Sequence, residues 1–160
     1  RGVLDGWTVS GVTRVWSGLP FTVTSSGNPG TLGNGVRADY IGGPIYVKDE
    51  GNRQWFNPFA FARPQDGQLG NTGRNFLRGP GFTNFDMSVF KTFKFNERFS
   101  LQYRAEFFNI FNSTQWFTVN SNINPANAGA TVTEGTRGRS GFVTDVRDPR
   151  NLQMALKLTF

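Results

Sequence analysis

The chain has 160 residues, a formal net charge of +6 and neither Cys nor His, and its mean hydropathy is −0.40. A disulfide framework and thiolate metal sites are excluded, and the commonest general base and transition-metal ligand are missing. The apolar content is below that of an ordinary globular chain, whereas a face turned to lipid needs only alternate apolar residues.

No run of eighteen apolar residues is present, so no membrane-spanning helix is expected. Arg1-Gly2-Val3-Leu4-Asp5 lacks the apolar stretch of a signal peptide. The expectation is a chain that lost its leader or begins inside a longer protein. The positive charge is scattered: from Ser25 to Gly81, Arg37, Lys48, Arg53, Arg63, Arg74 and Arg78 stand among Asp39, Asp49, Glu50 and Asp66. Without a basic stripe or motif, nucleic acid is not an expected partner.

The first predicted strand runs over about 7–24. Val9, Gly11, Thr13 and Val15 share one face, and the alternation resumes with Leu19, Phe21 and Val23 after a bend or bulge at Gly18 and Pro20. A long connection, about 25–81, follows. It carries turn chemistry at Gly27-Asn28-Pro29-Gly30, Gly42-Gly43-Pro44 and Gly79-Pro80-Gly81. The second strand, about 82–95, alternates Phe85, Met87, Val89, Phe93 and Phe95 with Asn84, Asp86, Ser88, Thr92 and Lys94. Lys91 falls on the apolar face near one end, where its amine can snorkel to the interface.

The third strand, about 99–112, places Phe99, Leu101, Tyr103, Ala105, Phe107 and Phe111 on one face, interrupted by Asn109. A second long connection, about 113–149, includes Ser140–Val146 as a candidate short strand. The last strand, about 150–160, alternates Leu152, Met154, Leu156, Leu158 and Phe160 with Gln153, Ala155, Lys157 and Thr159. Eleven residues at about 3.3 Å each, tilted by about 40°, rise roughly 28 Å, close to the apolar band of about 25 Å in an outer-membrane barrel.

Parity fixes the register across Asn96-Glu97-Arg98. The apolar faces on both sides use odd numbers, so a three-residue loop pairs Phe95 with Phe99, Phe93 with Leu101, Val89 with Ala105 and Met87 with Phe107. A five-residue loop keeps the same parity. Three-residue loops usually need a left-handed residue, and Asn96 is the readiest to supply one, although Arg98 holds the usual position. Aromatics gather at the strand ends: Phe93, Phe95 and Phe99 at one, Phe107, Phe111, Trp116 and Phe117 at the other. That is the girdle pattern of a membrane barrel, and barrels also alternate short periplasmic turns with long extracellular loops. A soluble or surface β-sandwich that binds carbohydrate or mediates adhesion would alternate too, but would bury its Phe-rich face against a second sheet.

Several segments resemble the C-terminal barrel of TonB-dependent outer-membrane receptors, the type with an N-terminal carboxypeptidase-regulatory-like domain. They are Gly6-Trp7 through Ser17-Gly18-Leu19-Pro20-Phe21-Thr22-Val23; Trp55-Phe56-Asn57-Pro58-Phe59-Ala60-Phe61; Gly70-Asn71-Thr72-Gly73-Arg74-Asn75; and Leu77-Arg78-Gly79-Pro80-Gly81. They continue with Asn84-Phe85-Asp86, Arg104-Ala105-Glu106-Phe107-Phe108-Asn109-Ile110-Phe111-Asn112, and Arg147-Asp148-Pro149-Arg150 leading to Phe160. The resemblance implies an all-β fold of antiparallel up-and-down strands forming the last part of a large transmembrane barrel, here without its plug domain. It implies uptake of a small ligand (siderophore, saccharide or peptide) through TonB, with outer-membrane lipid and the barrel-assembly machinery as further partners. It also sets the topology: 150–160 runs to the periplasm, and both long loops are extracellular.

No catalytic constellation is evident, and no enzyme activity, cofactor or metal is expected. Asp86, Arg104 and Glu106 lie on the polar face, where charges line a solvated wall or contact a plug. In the first long loop, Trp55, Phe56, Arg74 and Arg78 are the candidate ligand contacts, because aromatic faces and Arg forks suit sugars, aromatic chelates and anions. The bland alternative is that Trp55 to Phe61 packs the loop on its own rim, and that Arg binds lipopolysaccharide phosphates. Leu156, Leu158 and Phe160 keep the alternation to the last residue, and resemble the terminal signal read by the assembly machinery.

Overall fold

The computed structural model describes residues 5–26, 35–49, 53–125 and 127–160. The turn expected at Gly27–Gly30 lies outside these residues. The chain divides into two compact units: Arg1–Trp16, Phe82–Gln115 and Arg147–Phe160 form one, and Ser17–Gly81 with Trp116–Val146 the other.

The first unit is an open antiparallel sheet of four strands, β1 (Trp7–Trp16), β2 (Phe82–Lys94), β3 (Ser100–Phe108) and β4 (Asn151–Thr159), hydrogen-bonded in chain order. Each strand pairs with the next without a shift over its whole ladder: Val9 faces Val89, Val89 faces Ala105, and Ala105 faces Met154. Every side chain in such a row points the same way. One face therefore gathers Trp7, Val9, Phe85, Met87, Val89, Leu101, Phe107, Leu152, Met154, Leu156 and Leu158. The other gathers Ser10, Arg14, Asp86, Ser88, Gln102, Arg104, Glu106, Gln153 and Lys157. The apolar face is bare at the sheet's edges: Val9 is 64% exposed, Met154 63% and Leu156 70%. A β-sandwich would bury these side chains.

The one cation on the apolar face, Lys91, is shielded. Its Nζ donates to the Asp5 carbonyl at 2.8 Å and lies 4.9 Å from the Trp7 ring centroid and 5.4 Å from that of Phe93, so aromatic faces and a carbonyl stand in for water. On the polar face, Arg14 pairs with Asp86 at 2.5 Å, Arg104 pairs with Glu106, and the Arg104 guanidinium also sits over the Phe90 ring.

The β2–β3 turn has the register that parity required: Phe95 N–H donates to the Phe99 carbonyl at 3.0 Å. No residue of Asn96-Glu97-Arg98 adopts positive φ. Instead Asn96 Oδ1 accepts from the backbone N–H of Arg98 and Phe99, at 2.9 and 2.7 Å. A side-chain acceptor does what a left-handed residue usually does in a loop of this length.

Two strands stop sooner than the alternation suggested. The strand expected over 7–24 ends at Trp16, and only Pro20–Phe21 and Thr24–Ser25 extend beyond it, as short strands of the second unit. Gly18 sets the break. It lies so close to Gly79 that an added Cβ would fall 1.8 Å from the Gly79 carbonyl oxygen. The strand expected over 99–112 ends at Phe108, because Asn109 (φ 51) and Asn112 (φ 51) are left-handed. Asn109 interrupts the apolar pattern because it is the hub of the strand end. Its N–H donates to Asp86 Oδ1 at 3.0 Å, its Nδ2 to the Ser113 carbonyl at 3.1 Å, and its Oδ1 accepts from Ser113 N–H at 3.0 Å. Asn112 Oδ1 in turn accepts from Arg150 N–H at 3.0 Å, just before β4 begins.

The two long connections supply most of the second unit. Both fold around one core of Val23, Ala38, Phe56, Ala60, Phe61, Leu77, Ile123 and Val132, all buried. Ile123 comes from the second connection, where Asn122–Ile123 pairs in parallel with Thr24–Ser25 of the first. The segment expected as a strand within 140–146 forms one at Val143–Val146, against Trp116–Val119. The motifs are the joints of this unit. Leu77–Arg78 pairs with Pro20–Phe21. Asn57 caps the short 3-10 turn Pro58–Ala60 through Phe59 N–H, and Thr72 Oγ1 donates to the Ala38 carbonyl at 2.6 Å.

Two outcomes follow. Ser88 and Glu106 are directly opposed, and an odd number of positions separates them from the hydrogen-bonded pair Phe95–Phe99. They therefore form a non-hydrogen-bonded pair, whose Cα atoms should lie about 4.5 Å apart, within disulfide range. Ser88→Cys with Glu106→Cys should crosslink on mild oxidation, read by electrophoretic shift, and Ser88→Cys with Arg104→Cys should not; the reverse would contradict the register. Gly70 admits no side chain, since a Cβ would stand 1.9 Å from the Arg37 carbonyl oxygen. Gly70→Ala should weaken the second unit by about 1–3 kcal/mol, seen as faster proteolysis within 17–81 while crosslinking between positions 88 and 106 is unchanged.

Candidate ligand-binding and assembly sites

Neighbouring residues of the strand Gln54–Phe56 have opposite fates, because successive side chains point to opposite faces. Phe56 is fully buried, with its ring edge-on to Phe61 at 5.6 Å and tilted against Phe21 at 5.9 Å. It is a core residue with no surface to offer a ligand, so the candidate set loses it. Trp55 is half-buried on the other side. Its Nε1 donates to the Arg78 carbonyl at 2.8 Å, and its ring meets Trp116 edge to face at 6.1 Å.

Arg78 is brought to Trp55 through its backbone. Its N–H donates to Tyr46 Oη at 2.9 Å, and its guanidinium is exposed and reaches the Gly18 carbonyl at 3.4 Å. Arg74 stands apart, exposed in the turn before Asn75, which is itself left-handed (φ 56) and donates its N–H to Thr22 Oγ1 at 2.9 Å. Of the four candidates, the fold thus unites Trp55 and Arg78 and adds two residues that sequence reasoning missed in this role. Tyr46, half-exposed, had no local signal. Trp116 reads in the sequence as a girdle residue, but it opens a strand of the second unit. Phe111, which the sequence places in the same aromatic group, packs edge-on against Phe85 at 5.1 Å in the first unit.

The cluster of Trp55, Trp116, Tyr46 and Arg78 offers ring surface and one fork of N–H donors, a set suited to stacking and to anion or hydroxyl recognition. The polar atoms facing inward, Trp55 Nε1 and Tyr46 Oη, are already committed to the Arg78 backbone, so the guanidinium and the ring faces are what remain for a ligand.

The terminal candidates lie on or just past an edge strand. Leu156 is 70% exposed, Leu158 57% and Phe160 87%, and among the described residues β4 pairs only on its β3 side. Asp86, Arg104 and Glu106 share the polar face. The Asp86 carboxylate is held by Arg14, Asn84 Nδ2 at 2.7 Å and Asn109 N–H, which makes it a brace of the strand end.

A family model described as an outer membrane beta barrel domain matches residues 1–153. No curated relative and no solved structure matches the chain. An unbroken antiparallel sheet with one apolar, uncovered face and one charged face is the wall such a domain requires. The chain belongs to the outer membrane β-barrel domain family, and its place is the outer membrane.

Proposed function

We propose that the chain is part of the wall of a TonB-dependent outer-membrane receptor, which takes up a small ligand across the outer membrane. The observation that supports this most is the series of segments resembling that receptor type, which follow one another in order along nearly the whole chain and sit at joints of the fold. Ser17–Val23 and Leu77–Gly81 meet at the Gly18–Gly79 approach and the Pro20–Phe21 pairing. Asp86 and the Arg104–Asn112 segment meet at Asn109. In this reading the tight turn at Asn96 faces the periplasm and the second unit faces the medium. A plug elsewhere in the receptor contacts TonB, the polar face lines the lumen, and Leu156, Leu158 and Phe160 engage the assembly machinery. The ligand, a siderophore, saccharide or peptide, meets Trp55, Trp116 and Arg78. The role is transport, with no enzymatic step.

Uptake of a panel of siderophores, oligosaccharides and peptides by the source bacterium tests this. A compound whose accumulation is lost on deleting the gene for this protein should also fail to accumulate when TonB is deleted. An uptake that needs the gene but persists without TonB would contradict the proposal.

A further inference from the structure

Trp16 and Phe82 are the last opposed pair of β1 and β2, at the end of the wall from which the long connections leave. By parity they project from the polar face, where Arg14 and Asn84 form the next row and Val12 and Asp86 the one after. The two rings stand together, with centroids 5.3 Å apart, and Trp16 is 57% exposed. On the lipid side of a barrel an exposed Trp is ordinary. On the polar face it is apolar surface turned to water.

A guanidinium completes the row. Arg147 Cζ lies 4.6 Å from the Phe82 ring centroid, and a buried amide brings it there. β3 has already ended at Phe108, and beyond it the Gln115 side chain takes the place of a strand backbone. Its Nε2 donates to the Thr83 carbonyl at 2.6 Å, and its Oε1 accepts from the Thr83 N–H at 3.2 Å. The Gln115 carbonyl then accepts from the Arg147 N–H at 2.8 Å. Stacking on Phe82 uses the flat of the guanidinium; its N–H groups radiate from the edge, where they match a carboxylate two at a time. Beside it, Arg14 pairs with Asp86, whose other oxygen accepts from Asn84 and Asn109. Two guanidinium groups thus share these rows with one carboxylate.

We infer that this corner of the polar face binds a ring that bears a carboxylate, a uronic acid or an aryl carboxylate. The ring lies on Trp16, and the carboxylate accepts from the Arg147 guanidinium. Charge complementarity selects this occupant. A neutral ring gains the stacking alone and an inorganic anion the ion pair alone, whereas an acid on a ring gains both. The inference rests on the outer-membrane barrel assignment, which turns this face to the aqueous interior. It needs neither TonB nor the cluster around Trp55.

The test is isothermal titration calorimetry on the full outer-membrane protein that contains this chain, folded in detergent. The probes are trigalacturonate and benzoate, with galactotriose and benzyl alcohol as their neutral counterparts. At least one acid should bind about tenfold more tightly than its neutral counterpart, and which acid does so separates the sugar source from the aryl source. Arg147→Gln should weaken that acid about tenfold and remove its preference over the neutral ring, and Trp16→Leu should weaken acid and neutral ring alike, by about fivefold. Lys157→Gln, which removes a cation from the same face nearer the tight turn, should change neither. Unchanged heat-modifiable electrophoretic migration verifies that each variant is folded. Binding of neither acid, equal affinity for acid and neutral ring, a loss in Lys157→Gln equal to that in Arg147→Gln, or unchanged binding in Trp16→Leu would overturn the inference.

Discussion

Everything in the wall depends on an unshifted antiparallel ladder. In hydrocarbon a backbone N–H or C=O has no water to turn to, so each must find its partner across the strand. The rows that run from β1 to β4 meet that demand and, because the side-chain period is two, they also sort the residues into two faces. A one-residue slip between β2 and β3 would place Arg104 and Glu106 among the side chains opposite Val89 and Met87. A charged group on the lipid face costs about 2–4 kcal/mol near the midplane. The register therefore carries the energetic difference between a wall and a misfolded hairpin. Lys91, the exception, sits between Trp7 and Phe93 with its amine on the Asp5 carbonyl.

The second unit is held by different physics. Among the described residues it has no long ladder; its paired strands there are two to four residues each. Its cohesion comes from a Phe-centred core and from backbones that approach closely where glycine leaves room, at Gly18, Gly70 and Gly141. Truncation of a buried Phe such as Phe56 typically costs about 3–5 kcal/mol. That cohesion presents Trp55, Trp116 and Arg78 as a fixed group. The Asn109–Asp86 brace, by contrast, ends the wall strand with a polar network instead of letting it fray.

The wall was legible in the sequence because its information is local: Leu152 to Phe160 reads as a strand without reference to any other residue. Its ends were less legible. Asn109 looked like a flaw in an apolar face, and only its left-handed backbone and its bonds to Asp86 and Ser113 explain it. The Asn96 turn needed no left-handed residue because a side-chain oxygen replaced one. The second unit was nearly opaque: its core joins Val23 to Ile123, and strands as short as Asn122–Ile123 have no periodicity to read. For the candidate site, composition pointed to Trp55 and Arg78 but not to their contact. It could not separate Trp55 from Phe56, which differ only in the face of the strand from which they project.

Depth-dependent quenching by brominated lipids tests the central claim, that the Phe-rich face lies in the bilayer. Single Cys variants of the full protein at Ser88, Val89, Gln153 and Met154, each carrying a small fluorophore, sample adjacent positions on both faces. The account predicts strong quenching at 89 and 154 and little at 88 and 153. Equal quenching at all four, or the opposite alternation, would contradict it.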